Sequence, residues 1–153
     1  MAAEYVANAV QEVGLNTPVI FSASIPCTRG WVYHEDESGI FLLRGPSADS
    51  VNYFAQYKVT FNGNIAIPTG GTVGPIAIAL TVNGEQKPTS RAIYTPAAVD
   101  EYGNVTCTSI IKVPKGCCYS IAVEYVSGLN DPTATPALAI NVQNANLTIS
   151  REA

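Results

Sequence analysis

A chain of 153 residues is long enough for one domain with a conventional core, burying about two-thirds of the surface that its unfolded form exposes. Charged residues make up 13%, against about 25% in an average soluble domain, and the net charge is -4 with eight Lys and Arg scattered singly; this excludes a basic stripe for phosphates and argues against nucleic acid as a partner. No stretch approaches the roughly twenty apolar residues of a membrane-spanning helix, which argues against a membrane partner, and the 47% of hydrophobic residues fits either a neutral surface covered by copies of itself or a two-sided sheet with small neutral loops.

The opening MAAEYVANAV lacks the basic region and apolar core of a signal peptide, so export by that route is not expected. Residues 2–13 admit two readings. Val6, Val10 and Val13 make a helix face, while Tyr5, Ala7, Ala9, Gln11 and Val13 make one face of a strand. From Pro18 the pattern is β: residues 19–25 are apolar and end at Pro26. Residues 31–34 and 40–44 flank the acidic tip Glu35-Asp36-Glu37-Ser38-Gly39 as a hairpin. A loop over 45–52 leads to a strand over 53–61, then Asn62-Gly63, then a further β stretch over 65–68 and the turn Thr69-Gly70-Gly71.

Residues 76–82 form an apolar strand closed by Asn83-Gly84, both of which tolerate the positive φ of a type I′ hairpin turn. The return strand, 86–94, is bent or frayed at Pro88, which predicts an edge position. After a second long loop, 95–103, the next strand alternates Val105, Cys107, Ser109 and Ile111 against Thr106, Thr108, Ile110 and Lys112. Pro114-Lys115-Gly116 turns it into 117–126. There Cys117, Tyr119, Ile121, Val123 and Tyr125 share one face, and Cys118, Ser120, Ala122, Glu124 and Val126 make a half-exposed other face. A third long loop, 128–136, precedes the final strand.

That strand, LAINVQNANLTISR over 138–151, has Leu138, Ile140 and Val142 on one alternation and Ala145, Leu147 and Ile149 on the other. Strand periodicity is two, so the slip near Asn144 demands a bulge or a change of face. Such a segment belongs in the centre of a two-sheet sandwich. About nine or ten short strands with frequent turn signals, and no confident helix, predict an all-β, antiparallel two-sheet jelly-roll sandwich: one folding unit over 1–153, with 1–17 as an N-terminal arm or first strand.

Chemistry is thinly represented. His34 is the single histidine, and although Glu35 and Asp36 follow it, consecutive strand residues point apart; no nucleophile setting accompanies it. Glu35, Asp36 and Glu37 offer oxygens to a hard cation but lack calcium-loop spacing and read as a solvated tip. Asp49, Asp100, Glu101, Glu124 and Asp131 fall mostly in loops, with nothing to hold two at a glycosidase separation. Cys27, Cys107, Cys117 and Cys118 have no zinc spacing and read as small buried hydrophobes rather than a disulfide framework. The glycosylation patterns at Asn104 and Asn146 read as chance. No catalytic, metal or cofactor site is expected. Eight tyrosines and one tryptophan in so neutral a chain favour contacts between subunits, where such rings bury area while satisfying a polar atom.

The order Phe61-Asn62-Gly63-Asn64-Ile65-Ala66-Ile67-Pro68, Gly71-Thr72-Val73, an apolar strand, Asn83-Gly84, and Asn144-Ala145-Asn146-Leu147-Thr148-Ile149-Ser150-Arg151 resembles the C1q/TNF-like jelly roll of the bacterial BclA-type surface domains. No collagen-like Gly-x-y repeat precedes it, and Val73 stands where that family often carries an aromatic residue. The stretches GNIAIPTGG, PKGCC and QNANL are similar to those of small head-decoration or head-fibre proteins of tailed phages and prophages. The resemblance implies a non-enzymatic homotrimer on the virion surface, made in the host cytoplasm and seated on the major capsid protein. It also implies a trimer contact drawing on Tyr5, Tyr119, Tyr125, Leu147 and Ile149, with the last strand serving both core and contact. Residues 2–17 would be a capsid-facing arm or the first inner strand, and deleting residues 2–12 would abolish capsid attachment while leaving a folded trimer. The alternative is a trimeric carbohydrate-binding or adhesion module on a bacterial or spore surface, using loop tyrosines on a host-surface glycan.

Overall fold

The computed structural model describes residues 2–25, 31–35, 37–128 and 136–152. Among these lie twelve strands: β1 (Ala2–Ala7), β2 (Gln11–Gly14), β3 (Ala23–Ile25), β4 (Val32–His34), β5 (Ile40–Arg44), β6 (Phe54–Ala66), β7 (Ile76–Val82), β8 (Glu85–Gln86), β9 (Ala92–Tyr94), β10 (Gly103–Pro114), β11 (Cys118–Ser127) and β12 (Ala139–Arg151). They form two sheets. The first runs β10-β6-β12-β1-β3, with β2 also on β12; the second runs β4-β5-β11-β7-β8, with β9 also on β7, and every pairing is antiparallel. This is the expected two-sheet sandwich. The strands beyond nine or ten are short pieces, chiefly the return from Asn83-Gly84, which a 3-10 turn at Pro88–Ser90 cuts into β8 and β9.

The terminal strand is central, between β6 on one side and β1 and β2 on the other. Its pairing with β6 shifts by one residue between Gln143 and Asn146, and Asn144 takes a φ of 53°. This bulge rephases the strand. Ile140 and Val142 before it, and Ala145, Leu147 and Ile149 after it, all point into the same core. Contrary to the expectation that this strand serves two faces, its apolar side chains serve the sandwich alone.

Residues 2–7 are a strand, with Ala3, Tyr5 and Ala7 turned inward and β1 held between β12 and β3. The helix reading of 2–13 is not adopted. The uninterrupted alternation does not hold either: Asn8–Val10 is exposed where the chain passes the β12 bulge, and Val13 returns to the core in β2. Residues 2–12 therefore supply Tyr5 to the core and a neighbour to β12, so they are part of the sandwich and not an arm outside it. From β2 the chain crosses to the second sheet, where Asn16 and Val19 donate backbone hydrogen bonds to Tyr125 and Val123 of β11.

Asn62-Gly63 does not turn; β6 runs through it for 13 residues. Gly63 is there for space, since a Cβ would sit 2.8 Å from Cζ of Phe61. Asn83-Gly84 does turn, with φ of 52° and 84°. Between the sheets the rings of Tyr5, Phe21, Phe41 and Phe61 meet edge to face, with Tyr5 and Phe41 4.7 Å apart. The outer face of β11 is less exposed than its polar residues suggest: Ala122 and Val126 are buried, Val126 clustering with Ala77 and Ala79 of β7.

Candidate functional site

Tyr5, Tyr125, Leu147 and Ile149 face the space between the sheets and are at most 1% exposed, and Tyr119 is half-buried against the same core. Tyr125 donates its hydroxyl to the Ala137 carbonyl at 2.7 Å, closing the sandwich near the start of β12. Four of these side chains thus belong to the core of the chain itself, and Tyr119 keeps part of its ring outside it. Of the outer faces of the sandwich, one is unusual.

On the first sheet the outward residues of β10, β6, β12 and β1 line up in rows. Thr106, Asn62, Asn146 and Val6 form one row, and Thr108, Thr60, Thr148 and Glu4 the next. Inward neighbours being core, strand alternation sends these side chains outward. Asn104 donates its amide to Asn62 Oδ1 at 2.7 Å and Asn64 Oδ1 at 3.2 Å, and the hydroxyls of Thr108 and Thr60 are 3.2 Å apart. Thr106 and Thr148 donate to Asn104 and Asn146 along their own strands. The product is a broad field of short amides and hydroxyls, mutually ordered, with Glu4 at its β1 side and Lys58 and Lys112 toward the Phe54 end. Asn104 and Asn146, the two glycosylation-pattern residues, both lie in it. Such a field can present hydrogen bonds without desolvating charge; it offers no acid, base or nucleophile. Sequence patterning contained this field as the polar halves of three alternations, but register across four strands was needed to assemble it.

His34 is structural. Its Nε2 lies 2.8 Å from the Ser38 carbonyl, so that nitrogen carries the proton, and the ring stacks 4.2 Å from Phe41. Among the described residues, His34 Nδ1 and the Tyr5 hydroxyl are buried without hydrogen-bond partners, the two rings 4.9 Å apart. Asp36 of the acidic tip lies outside the described residues, as do Cys27 and Asp131. Among the described residues no group of three His, Cys, Asp or Glu could hold a metal. Cys107 is the buried hydrophobe expected of it, and burial pushes its thiol up to about 12; Cys117 and Cys118 are exposed free thiols instead, Cys117 just before β11 and Cys118 as its first residue, opposite Arg44. Trp31 is partly exposed, but the Arg151 guanidinium covers one face of its ring at 3.9 Å.

No family model and no curated protein matches the sequence. Solved structures do match. The globular domain of the zebrafish complement 1qA protein superimposes with a TM-score of 0.63 at 13% identity, over 99% of this chain and 97% of that one. The Eiger TNF of S. frugiperda gives 0.63 at 12%, over 100% and 92%, and murine APRIL gives 0.60 at 11%, over 97% of each chain. The fold is the C1q/TNF-like jelly roll. Within it the Asn/Thr field is the outer face of the sheet that contains both termini of the chain, β1 and β12. Identities this low establish architecture and leave function to the residues.

Proposed function

We propose that the protein is the protomer of a non-enzymatic homotrimer that decorates the head of a tailed bacteriophage, seated on its major capsid protein. The observation that carries the trimer is the Asn/Thr field. Four strands present ordered, short, almost uncharged side chains on one face, which a second copy can cover at the cost of little charge. A closed ring of three copies removes the field from water in each. The C1q/TNF-like architecture and the low charge fraction support the same reading, and the phage assignment rests on the GNIAIPTGG, PKGCC and QNANL stretches. Shape, not chemistry, is then the working property: three equivalent footholds let weak contacts with a shell add.

The experiment begins with mass. Light scattering on the purified protein gives three times 16.1 kDa across a wide dilution range, and Thr60→Arg, placing a cation in the middle of the field, gives a folded monomer. Fluorescent trimer then co-sediments with purified phage heads at saturable stoichiometry. A monomer at every concentration ends the trimer, and a trimer that ignores heads ends the decoration role.

A further inference from the structure

We infer that copies of this protein associate end to end, the aromatic, cationic end of one seating in the apolar groove at the far end of the next, beside Glu12, Asp100 and Glu101. This contact is independent of the phage reading and of the Asn/Thr field. Its two halves lie at opposite ends of β6, which at strand rise separates Phe54 from Ala66 by about 40 Å.

At the Phe54 end, Val51, Tyr53 and Phe54 are 89%, 80% and 45% exposed. They do not stand out because the loop is loose. Gly45 donates to Cys117 O at 2.9 Å, and Gly116 and Lys115 donate to Pro46 O and Tyr53 O at 2.8 Å, tying residues 45–53 to the β10–β11 turn. The approach is so close that a Cβ on Gly45 would lie 1.9 Å from the Pro114 carbonyl oxygen. A backbone tied down in this way has less freedom left to lose when the rings it carries are bound, which is how contact anchors are built. Cations crown them: Lys115 Nζ lies 5.6 Å from the Tyr53 ring centre and Lys112 Nζ 4.8 Å from that of Phe54. Arg44 and Arg151 border the adjoining cleft, with Asp49 and Glu152 as the nearby acids.

The other end is the complement. A groove of about 590 Å³ is lined by Glu12 and by residues 68–72 and 136–139, mostly proline, glycine and alanine, with Leu138 81% exposed at its edge. Asp100, accepting a hydrogen bond from the Thr69 hydroxyl, stands with Glu101 on the neighbouring loop. Residues 67–75, 95–102 and 136–139 contain no Lys or Arg. Apolar knob and cations at one end, apolar groove and carboxylates at the other, match only when two copies point the same way. The contact is heterologous and does not close, so it builds rods rather than rings.

Sedimentation velocity of the whole protein, from micromolar to near-millimolar concentration, tests it. At low salt the basal species grows with concentration into a series of larger ones, and high salt reverses the growth. Lys115→Glu, and separately Tyr53→Ser, each weaken the association at least tenfold while far-UV circular dichroism and the basal mass stay unchanged. Mixing the charge-reversed Lys copy with a Glu12→Lys/Glu101→Lys copy restores it, because the altered ends again carry opposite charge. Absence of growth at low salt overturns the inference. So does growth that none of these variants alters.

Discussion

At Asn144 one residue decides the phase of a whole strand. Its φ of 53° lies in the left-handed region, where a β-branched side chain is strained by about 1–2 kcal/mol and glycine is not. Asn144→Val should therefore lower the unfolding free energy by about 1–2 kcal/mol in urea titrations, while Asn144→Gly leaves it unchanged or slightly higher. The need for such a residue was legible in the slip between Val142 and Ala145; that it returns the strand to the same core was not, because sequence alone cannot distinguish a bulge from a change of face. Cys107 illustrates burial by contrast. Unfolded, its thiol ionises near the ordinary 9.0; folded, desolvation holds it protonated up to about 12. Above pH 9 the unfolded chain releases a proton that the folded one keeps, so stability present below that pH is lost as the pH rises toward 12, at up to about 1.4 kcal/mol per unit. The buried Tyr5, Tyr57 and Tyr125 hydroxyls, also raised by burial, act in the same direction. Cys107→Ala should flatten the alkaline limb of a stability profile without abolishing it, and a thiol reagent should label Cys117 and Cys118 in the native protein but Cys107 only on unfolding.

At the level of elements, β1 carries the clearest consequence. It pairs with β12 over six residues, from Ala2 opposite Ser150 to Ala7 opposite Ala145, and supplies Tyr5 to the aromatic centre of the core. Deleting residues 2–12 removes that ring, strips one side of β12 and leaves its edge unpaired, so the truncated chain should be largely unfolded or aggregated, as size exclusion and circular dichroism would report. A truncated protein with an unchanged melting transition would mean that β1 contributes nothing to the sandwich. The stretch was ambiguous beforehand because small side chains at alternate positions satisfy a helix and a strand equally; β12 and β3, one on each side, resolve it. Asn62-Gly63 failed the other way. The pair has turn chemistry, yet partners on both sides of β6, with Thr106 and Asn146 opposite Asn62, hold it extended.

For the whole molecule, the two proposed contacts between copies should separate by their response to salt. The Asn/Thr field holds little charge, so a trimer formed through it should keep its mass from low to high ionic strength in light scattering, whereas end-to-end growth should disappear. A trimer that dissociates in salt would mean that charged side chains, not the field, carry the interface. The alternating patterns, the turn residues and the scarcity of charge were enough by themselves to establish an all-β two-sheet sandwich with the last strand at its centre, because periodicity and turn chemistry are local and write themselves into neighbouring residues. Which tyrosines remain on the surface was decided only by tertiary structure. Tyr5 and Tyr125 look like contact residues in isolation, and they are core because strands distant in the chain pair into the two sheets whose inner faces they occupy, as where Tyr5 stands opposite Leu147 and Tyr125 opposite Ile78. The same long-range register gathers scattered asparagines and threonines into one field, and no local signal encodes that.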